Sequence, residues 1–278
     1  MKLANVHGRA AVATDDGVID VEMASEGRFG PSMRSVYDQW SAFRDWVPSA
    51  TGTPLTVDPA TLGAPSPEPR QVFGVGANYL DHVEEARATR PTTPVVFTKF
   101  PTCITGPNTV VVLPSASIDW EAELVIVVGT GGHLIPPEHA WDAIAGFTIG
   151  QDLSDRVLQL NYDRPQFSLA KSLPGFGPTG PVLVTTDEFA DPDTMHVRCV
   201  INGRTRQDFT TDRLIFSVPN IIVELSKIVT LLPGDIIFTG TSSGVGMIQD
   251  PPEYLQPGDE IVTSIDGIGS MTTRLVGA

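Results

Sequence analysis

The run Asp119-Trp120-Glu121-Ala122-Glu123-Leu124-Val125-Ile126-Val127-Val128 decides how the rest of the chain is read. In a strand, residues two apart share a face, so Glu121 and Glu123 project side by side with Cα atoms about 7 Å apart. Their face continues as Val125 and Val127, and the opposite face carries Ala122, Leu124, Ile126 and Val128. A solvated face is the commoner meaning of two acids at this spacing. Here both faces run on into apolar residues, which predicts a strand buried on both sides with its acidic end opening on a cavity. Two such carboxylates repel unless a cation or a proton lies between them.

Working outward, the next apolar strand, Ala143 to Ile149, ends in Gly150-Gln151-Asp152. If the two strands pair, Asp152 reaches the same place. Three carboxylates without Cys or an obligatory His suit a hard cation, Mg²⁺ or Mn²⁺ before Zn²⁺. A short helix over Asp152 to Leu160 would put Arg156 and Gln159 on the face of Asp152. Read alone, Asp152 is equally a helix N-cap. Lys171, in Leu169-Ala170-Lys171-Ser172-Leu173, precedes a Pro/Gly-rich loop. In isolation, Arg156 and Lys171 read as surface charges; together with a cation they could make a positive centre.

His82 and Glu85 lie in a segment read as a helix from Asn78, its N-cap, to Ala88. Spaced by three, they can meet on one face, and a carboxylate-oriented His can deprotonate water. Their spacing alone fits an exposed helix with acids near its N-terminus better. Thr239-Gly240-Thr241-Ser242-Ser243-Gly244-Val245-Gly246 follows the apolar strand Asp235 to Phe238. Its backbone N–H groups could cradle a carboxylate. No Gly-Lys-Ser/Thr follows, so it is not a phosphate loop.

The whole chain bounds these readings. Its 278 residues are enough for one large domain, or one main domain and a small one. No apolar run approaches the ~20 residues of a membrane span, and the N-terminus has no secretory h-region, so a cytoplasmic location is expected. Cys103 and Cys199 lie in apolar, strand-like contexts and read as buried free thiols. The formal net charge of −15 would repel nucleic acid. A small anionic substrate then needs a local positive centre.

Residues 1–70 read as a small N-terminal unit plus linker. Strands are expected at Ala10–Ala13 and Gly17–Val21, a helix over Ser32–Trp46, and a Pro-rich linker near residues 60–69. From Gln71 to the end the chain reads as a single strand-dominated domain. Asn202-Gly203 marks a tight hairpin. Ser217 to Val229 reads as an amphipathic helix with Pro219 in its first turn.

Six segments, in this order, are similar to the fumarylacetoacetate hydrolase superfamily. They are Val75-Gly76-Ala77-Asn78-Tyr79-Leu80-Asp81-His82, Asp119-Trp120-Glu121-Ala122-Glu123-Leu124, Gly150-Gln151-Asp152-Leu153-Ser154-Asp155-Arg156, Ala170-Lys171-Ser172, Phe238-Thr239-Gly240-Thr241 and Leu255-Gln256-Pro257-Gly258-Asp259. The resemblance implies an α+β, mostly β fold: a fumarylacetoacetase C-terminal-like mixed β-sandwich roll beside a small N-terminal α/β unit, usually a homodimer. It implies that Glu121, Glu123 and Asp152 hold Mg²⁺ or Mn²⁺. It casts His82 with Glu85 as a water-activating dyad, on a segment that orders as a lid. Lys171 becomes a charge-stabilising catalytic group, Arg156 and Gln159 substrate-orienting groups, and Thr241 a contact to a substrate carboxylate. The founding hydrolase takes its His-orienting Glu from a later part of the chain that has no match here; the smaller bacterial-type members show the local pattern. The activity implied is C–C hydrolysis of an acylpyruvate-type 2,4-dioxo acid such as fumarylpyruvate, in aromatic catabolism. The alternative is isomerisation or decarboxylation of a hydroxydienedioate or oxaloacetate at the same metal site. Arg87 to Pro94 and Tyr162 to Phe167 are where specificity is expected.

Overall fold

A computed structural model describes all 278 residues. The acidic strand, observed as Ala122–Val128, lies inside a large mixed sheet. It pairs antiparallel with Ile144–Gln151 on one side and with Ile236–Phe238 on the other. The main path of that sheet runs Gly17–Asp20, Arg9–Thr14, Lys2–Val6, Gly177–Val184, Ile144–Gln151, Ala122–Val128, Ile236–Phe238, Val72–Gly76, Val95–Thr98. A second sheet of five strands runs Arg204–Thr210, His196–Ile201, Glu260–Ile265, Gly269–Gly277, Asn108–Leu113. The fold is α+β and mostly β, with sheet packed on sheet.

Two cores account for the apolar residues on both faces of the acidic strand. Ala122, Leu124, Ile126 and Val128 point into the core between the sheets, with Cys199, Ile261 and Leu275 from the second sheet. Val125 and Val127 point the other way, against Met33, Val36, Tyr37, Trp40 and Phe43. Those five come from two short helices, Met33–Tyr37 and Trp40–Trp46, where one continuous helix from Ser32 to Trp46 was expected. Ser32 caps the first helix, and the break near Asp38-Gln39 lets both apolar faces turn onto the sheet. The first three strands extend the large sheet, since Lys2 and Leu3 pair with Val184 and Leu183.

Local signals held where the residue chemistry was strict. Asn202 and Gly203 both adopt positive φ, as a tight hairpin requires, and the second arm runs on to Thr210. The amphipathic helix spans Val218–Ser226, with Pro at its start. Cys103 and Cys199 are buried free thiols. Two helix starts differ from expectation. The His82 helix spans Leu80–Glu85, and Tyr79 is its N-cap. Asn78 does not cap it; its amide instead ties Phe216 and Thr239 to this corner, because buried backbone groups there have no other partner. The helix expected from Asp152 spans Arg156–Leu160, and Asp155 is the cap, accepting from Leu158 N–H. Asp152 is thereby left free for the site.

Candidate active site

Antiparallel pairing sets the site. Ala122 lies opposite Gln151, so Asp152 leaves its strand beside Glu121, whose carbonyl accepts from Asp152 N–H. Glu121, Glu123 and Asp152 each offer a carboxylate oxygen, and the three oxygens lie within 4.8 Å of one another. All three residues are buried, at 8%, 2% and 0% exposure.

The cluster is held by a dense set of charges. Lys171 Nζ donates to Glu121 Oε2 at 2.7 Å, Asp152 Oδ2 at 2.8 Å and Ser154 Oγ at 2.8 Å. An ammonium has three donors, so all of Lys171's are used within the protein. Lys99, which the sequence reading passed over, is the second buried ammonium. It donates to Asp152 Oδ1 at 2.6 Å, to Lys171 O and to Phe176 O. The only sequence signal was a charge at the end of the apolar strand Val95–Thr98.

Arg156 completes the ring. Its Nε donates to Asp119 at 2.8 Å, one terminal nitrogen to Glu121 at 2.7 Å and the other to Gln159 Oε1 at 2.9 Å. A guanidinium has five N–H groups, so two remain. The Gln159 amide NH₂ is also uncommitted, and both residues line a cavity of about 470 Å³ with His82, Glu85, Glu121, Lys171 and Thr241. That volume suits a small ligand. Arg87 and Phe167, from the two stretches expected to tune specificity, line it too.

Burial alone would raise the Glu121 carboxyl, but Lys171 and Arg156 outweigh it and hold it well below the ordinary range. Glu123 goes the other way: burial first, then the neighbouring Asp152 and Glu121 charges, push it well above the usual carboxylate range. Its one hydrogen bond is from Gly240 N–H at 2.6 Å. Four buried carboxylates, Asp119 included, thus face three buried cations, and the least compensated is Glu123. An all-oxygen donor set one positive charge short fits a hard divalent metal, which would let Glu123 stay ionised. Bound there, the cation would also reverse the local sign of charge in a chain of net −15.

The expected dyad is not joined. His82 Nδ1 is buried and has no hydrogen-bond partner. The Glu85 carboxylate instead accepts from Gly244 N–H, at 3.0 and 3.3 Å. Burial lowers the His82 pKa; Glu121 pulls it back up and Arg156 pushes it further down. The lowered pKa favours the uncharged imidazole.

The small-residue loop does cradle carboxylates, but they are the protein's own. Gly240 N–H serves Glu123, Gly244 N–H serves Glu85, and Gly246 and Met247 N–H serve Asp119. Thr241, expected to touch substrate, donates its hydroxyl to Ala122 O at 2.8 Å and accepts from Gln207 Nε2 at 2.7 Å. Gln207 in turn accepts from Ala122 N–H, filling the gap where the strand after Asp235 peels away from the acidic strand. Asp119 and Gln207 were both missed. Asp119 had a signal, since it shares the two-residue period of Glu121 and Glu123. Gln207 had none, because it arrives from the other sheet.

This combination of fold and acidic site has relatives. The fumarylacetoacetate (FAA) hydrolase C-terminal family matches residues 71–276, and the chain belongs to that family. It is 37% identical to the bovine protein named oxaloacetate tautomerase FAHD2A, mitochondrial, over 99% of this chain and 88% of that one. The human protein of the same name is 37% identical, over 94% and 84%. Among solved structures, a Mycobacterium smegmatis protein described as HpcE shares 52% identity with a TM-score of 0.97, covering all of both chains. Maleylpyruvate hydrolase from Sphingobium sp. SYK-6, solved with manganese(II) and pyruvate, shares 27% identity with a TM-score of 0.78, again over 100% of both. No helix of this chain is long and apolar enough to cross a membrane.

Proposed function

We propose that this protein is a divalent-metal-dependent isomerase that interconverts the enol and keto forms of a small anionic 2-oxo acid, with oxaloacetate the first candidate. The observation that carries this reading is the buried triad of Glu121, Glu123 and Asp152 beside an unpartnered His82 on one small cavity. Glu121, Glu123 and Asp152 would hold the cation, Mg²⁺ or Mn²⁺, which when bound would supply Lewis-acid polarisation of the 2-oxo group. His82 takes the proton from C3 of the substrate and returns it to the C2 oxygen, a net 1,3-proton shift that leaves the imidazole as it began. No carbon–carbon bond breaks and no water is consumed. The two spare N–H groups of Arg156 and the Gln159 amide hold the substrate carboxylate. Lys171 and Lys99 hold the Glu121 and Asp152 carboxylates in place. Two points favour isomerisation over hydrolysis. Glu85 is occupied by Gly244 and does not orient His82 for attack by water. Curated relatives 37% identical over 94–99% of this chain are named as oxaloacetate tautomerases.

The second reading is hydrolysis of an acylpyruvate. It is supported by the likeness to maleylpyruvate hydrolase and by the presence of both His82 and Glu85 on the cavity wall. A panel of oxaloacetate, a hydroxydienedioate and an acylpyruvate, each with Mn²⁺ and then with EDTA, separates the two. The proposal expects metal-dependent enol–keto interconversion of oxaloacetate that is lost in His82→Ala. Interconversion at the buffer rate, with the acylpyruvate cleaved to pyruvate and a free acid, would replace it with the hydrolase.

A further inference from the structure

Asp119 is the one carboxylate of the cluster that faces neither the cation site nor the cavity. It is fully buried. Its oxygens accept from Trp120 N–H at 2.8 Å, Gly246 N–H at 2.7 Å, Met247 N–H at 3.0 Å and Arg156 Nε at 2.8 Å. An ionised carboxylate has about four lone-pair sites, and all are filled. It has no capacity left for a substrate or a metal. What it does hold is Arg156, whose Nε would otherwise be free to rotate its two spare N–H groups out of the cavity.

We infer that Asp119 is the positioning residue that aims Arg156 at the substrate carboxylate, and that the 240–247 loop sets its angle. The loop grips Asp119 with backbone donors, which cannot swing as side chains do. The same loop grips Glu123 through Gly240 N–H and Glu85 through Gly244 N–H. One rigid segment therefore registers a triad carboxylate, the residue beside His82 and the arginine anchor relative to each other. Gly246 is required there: a Cβ would stand 2.8 Å from Asp119 Oδ1 and closer still to Glu253 O. Without Asp119, Arg156 keeps only Glu121 and Gln159. The inference rests on the proposed binding of a small 2-oxo acid in this cavity.

The test is a double-mutant cycle on pyruvate binding to the Mn²⁺-loaded protein, with the variants Asp119→Asn, Arg156→Gln and both together. Loss of a group that orients a first-rank ligand commonly costs about 10- to 100-fold. We expect Asp119→Asn to weaken pyruvate by at least about 10-fold in that range, to leave the Mn²⁺ dissociation constant within about 3-fold of the wild type, and to add nothing to Arg156→Gln in the double variant. In parallel, ¹⁵N-ε-arginine labelling reads Arg156 directly. A slowly exchanging Nε–H signal in the wild type should be lost in Asp119→Asn. Additive losses, or an Nε–H signal unchanged by Asp119→Asn, would overturn the inference. If wild-type protein fails to bind pyruvate, it is the proposed substrate class that falls, and the Nε–H signal still decides the role of Asp119. Should Asp119→Asn not fold, Asp119→Glu, which moves the charge by one methylene, takes its place in the same cycle.

Discussion

Replacing Lys99 with Met tests the buried charge network without substituting any residue that lines the cavity. Lys99 is 1% exposed, and its ammonium has three acceptors: Asp152 Oδ1, Lys171 O and Phe176 O. Met fills much of the same volume, so the packing term is small. The electrostatic term is not. Removing one partner of a buried ion pair costs about 3–5 kcal/mol, since the remaining charge stays buried. Asp152 keeps Lys171, which argues for the lower end, while two carbonyls lose their donor, which argues for the upper. With about 2.1 cal/mol/K of unfolding entropy per residue, 278 residues give about 0.6 kcal/mol/K. The expected fall in Tm is therefore about 5–9 °C. Differential scanning calorimetry in EDTA measures it without the metal's own contribution. Lys227→Met is the control: its ammonium pairs with Glu224 at 2.6 Å on the surface, at 49% and 40% exposure, and it should move Tm by no more than about 1–2 °C. A Lys99→Met protein within 2 °C of wild type would refute the view that Lys99 compensates Asp152.

Four further outcomes follow from the same geometry. Because the Glu123 carboxyl is raised in the folded state, the metal-free protein loses stability as pH rises from the ordinary carboxylate value up through that raised pKa. Glu123→Gln should flatten this decline in Tm-against-pH scans in EDTA and abolish Mn²⁺ binding by calorimetry; a variant that still binds Mn²⁺ with wild-type affinity would remove Glu123 from the triad. Glu121, held down to about 2 chiefly by Lys171 and Arg156 against its burial, contributes stability above its ordinary pKa that is lost as pH falls toward that value, so Glu121→Gln should shrink the acid limb of the same scan. His82 is lowered by burial, so the acid limb of kcat/KM for oxaloacetate should lie below the unperturbed value of about 6.5; a limb above 6.5 would mean that a different base is at work. Finally, a Cβ at Gly74 would land inside the Phe97 ring, which lies 5.4 Å from Lys171 Nζ and stacks on Phe167, so Gly74→Ala should raise KM more than it changes Mn²⁺ affinity.

The acidic strand shows what was written locally. Alternation of side chains along a strand is a property of the backbone itself, so Glu121 and Glu123 on one face, and apolar residues on both, could be read from spacing alone. The same holds for the Asn202-Gly203 hairpin, where only a few residue types tolerate positive φ, and for Asp152 entering the site once two strands were assumed to pair. The family, the mostly-β class and the carboxylate triad were legible for that reason. What the sequence could not carry is which distant groups arrive at a given carboxylate. Lys99 comes from 53 positions before Asp152 and Gln207 from the other sheet, 85 positions from Ala122. The donor that takes Glu85 away from His82 is Gly244 N–H, 159 positions on. Every non-proline residue has a backbone N–H, so nothing in the letters marks the four of the 240–247 loop that grip carboxylates here. The helix start at Arg156 rather than Asp152 was decided in the same way, by which aspartate could reach a free N–H and which was already drawn into the charge cluster. Spacing along the chain determined which carboxylates share a face; only packing of the two sheets and the loop between them decided what each carboxylate holds, because a buried charge takes its partner from whatever the fold brings within about 3 Å.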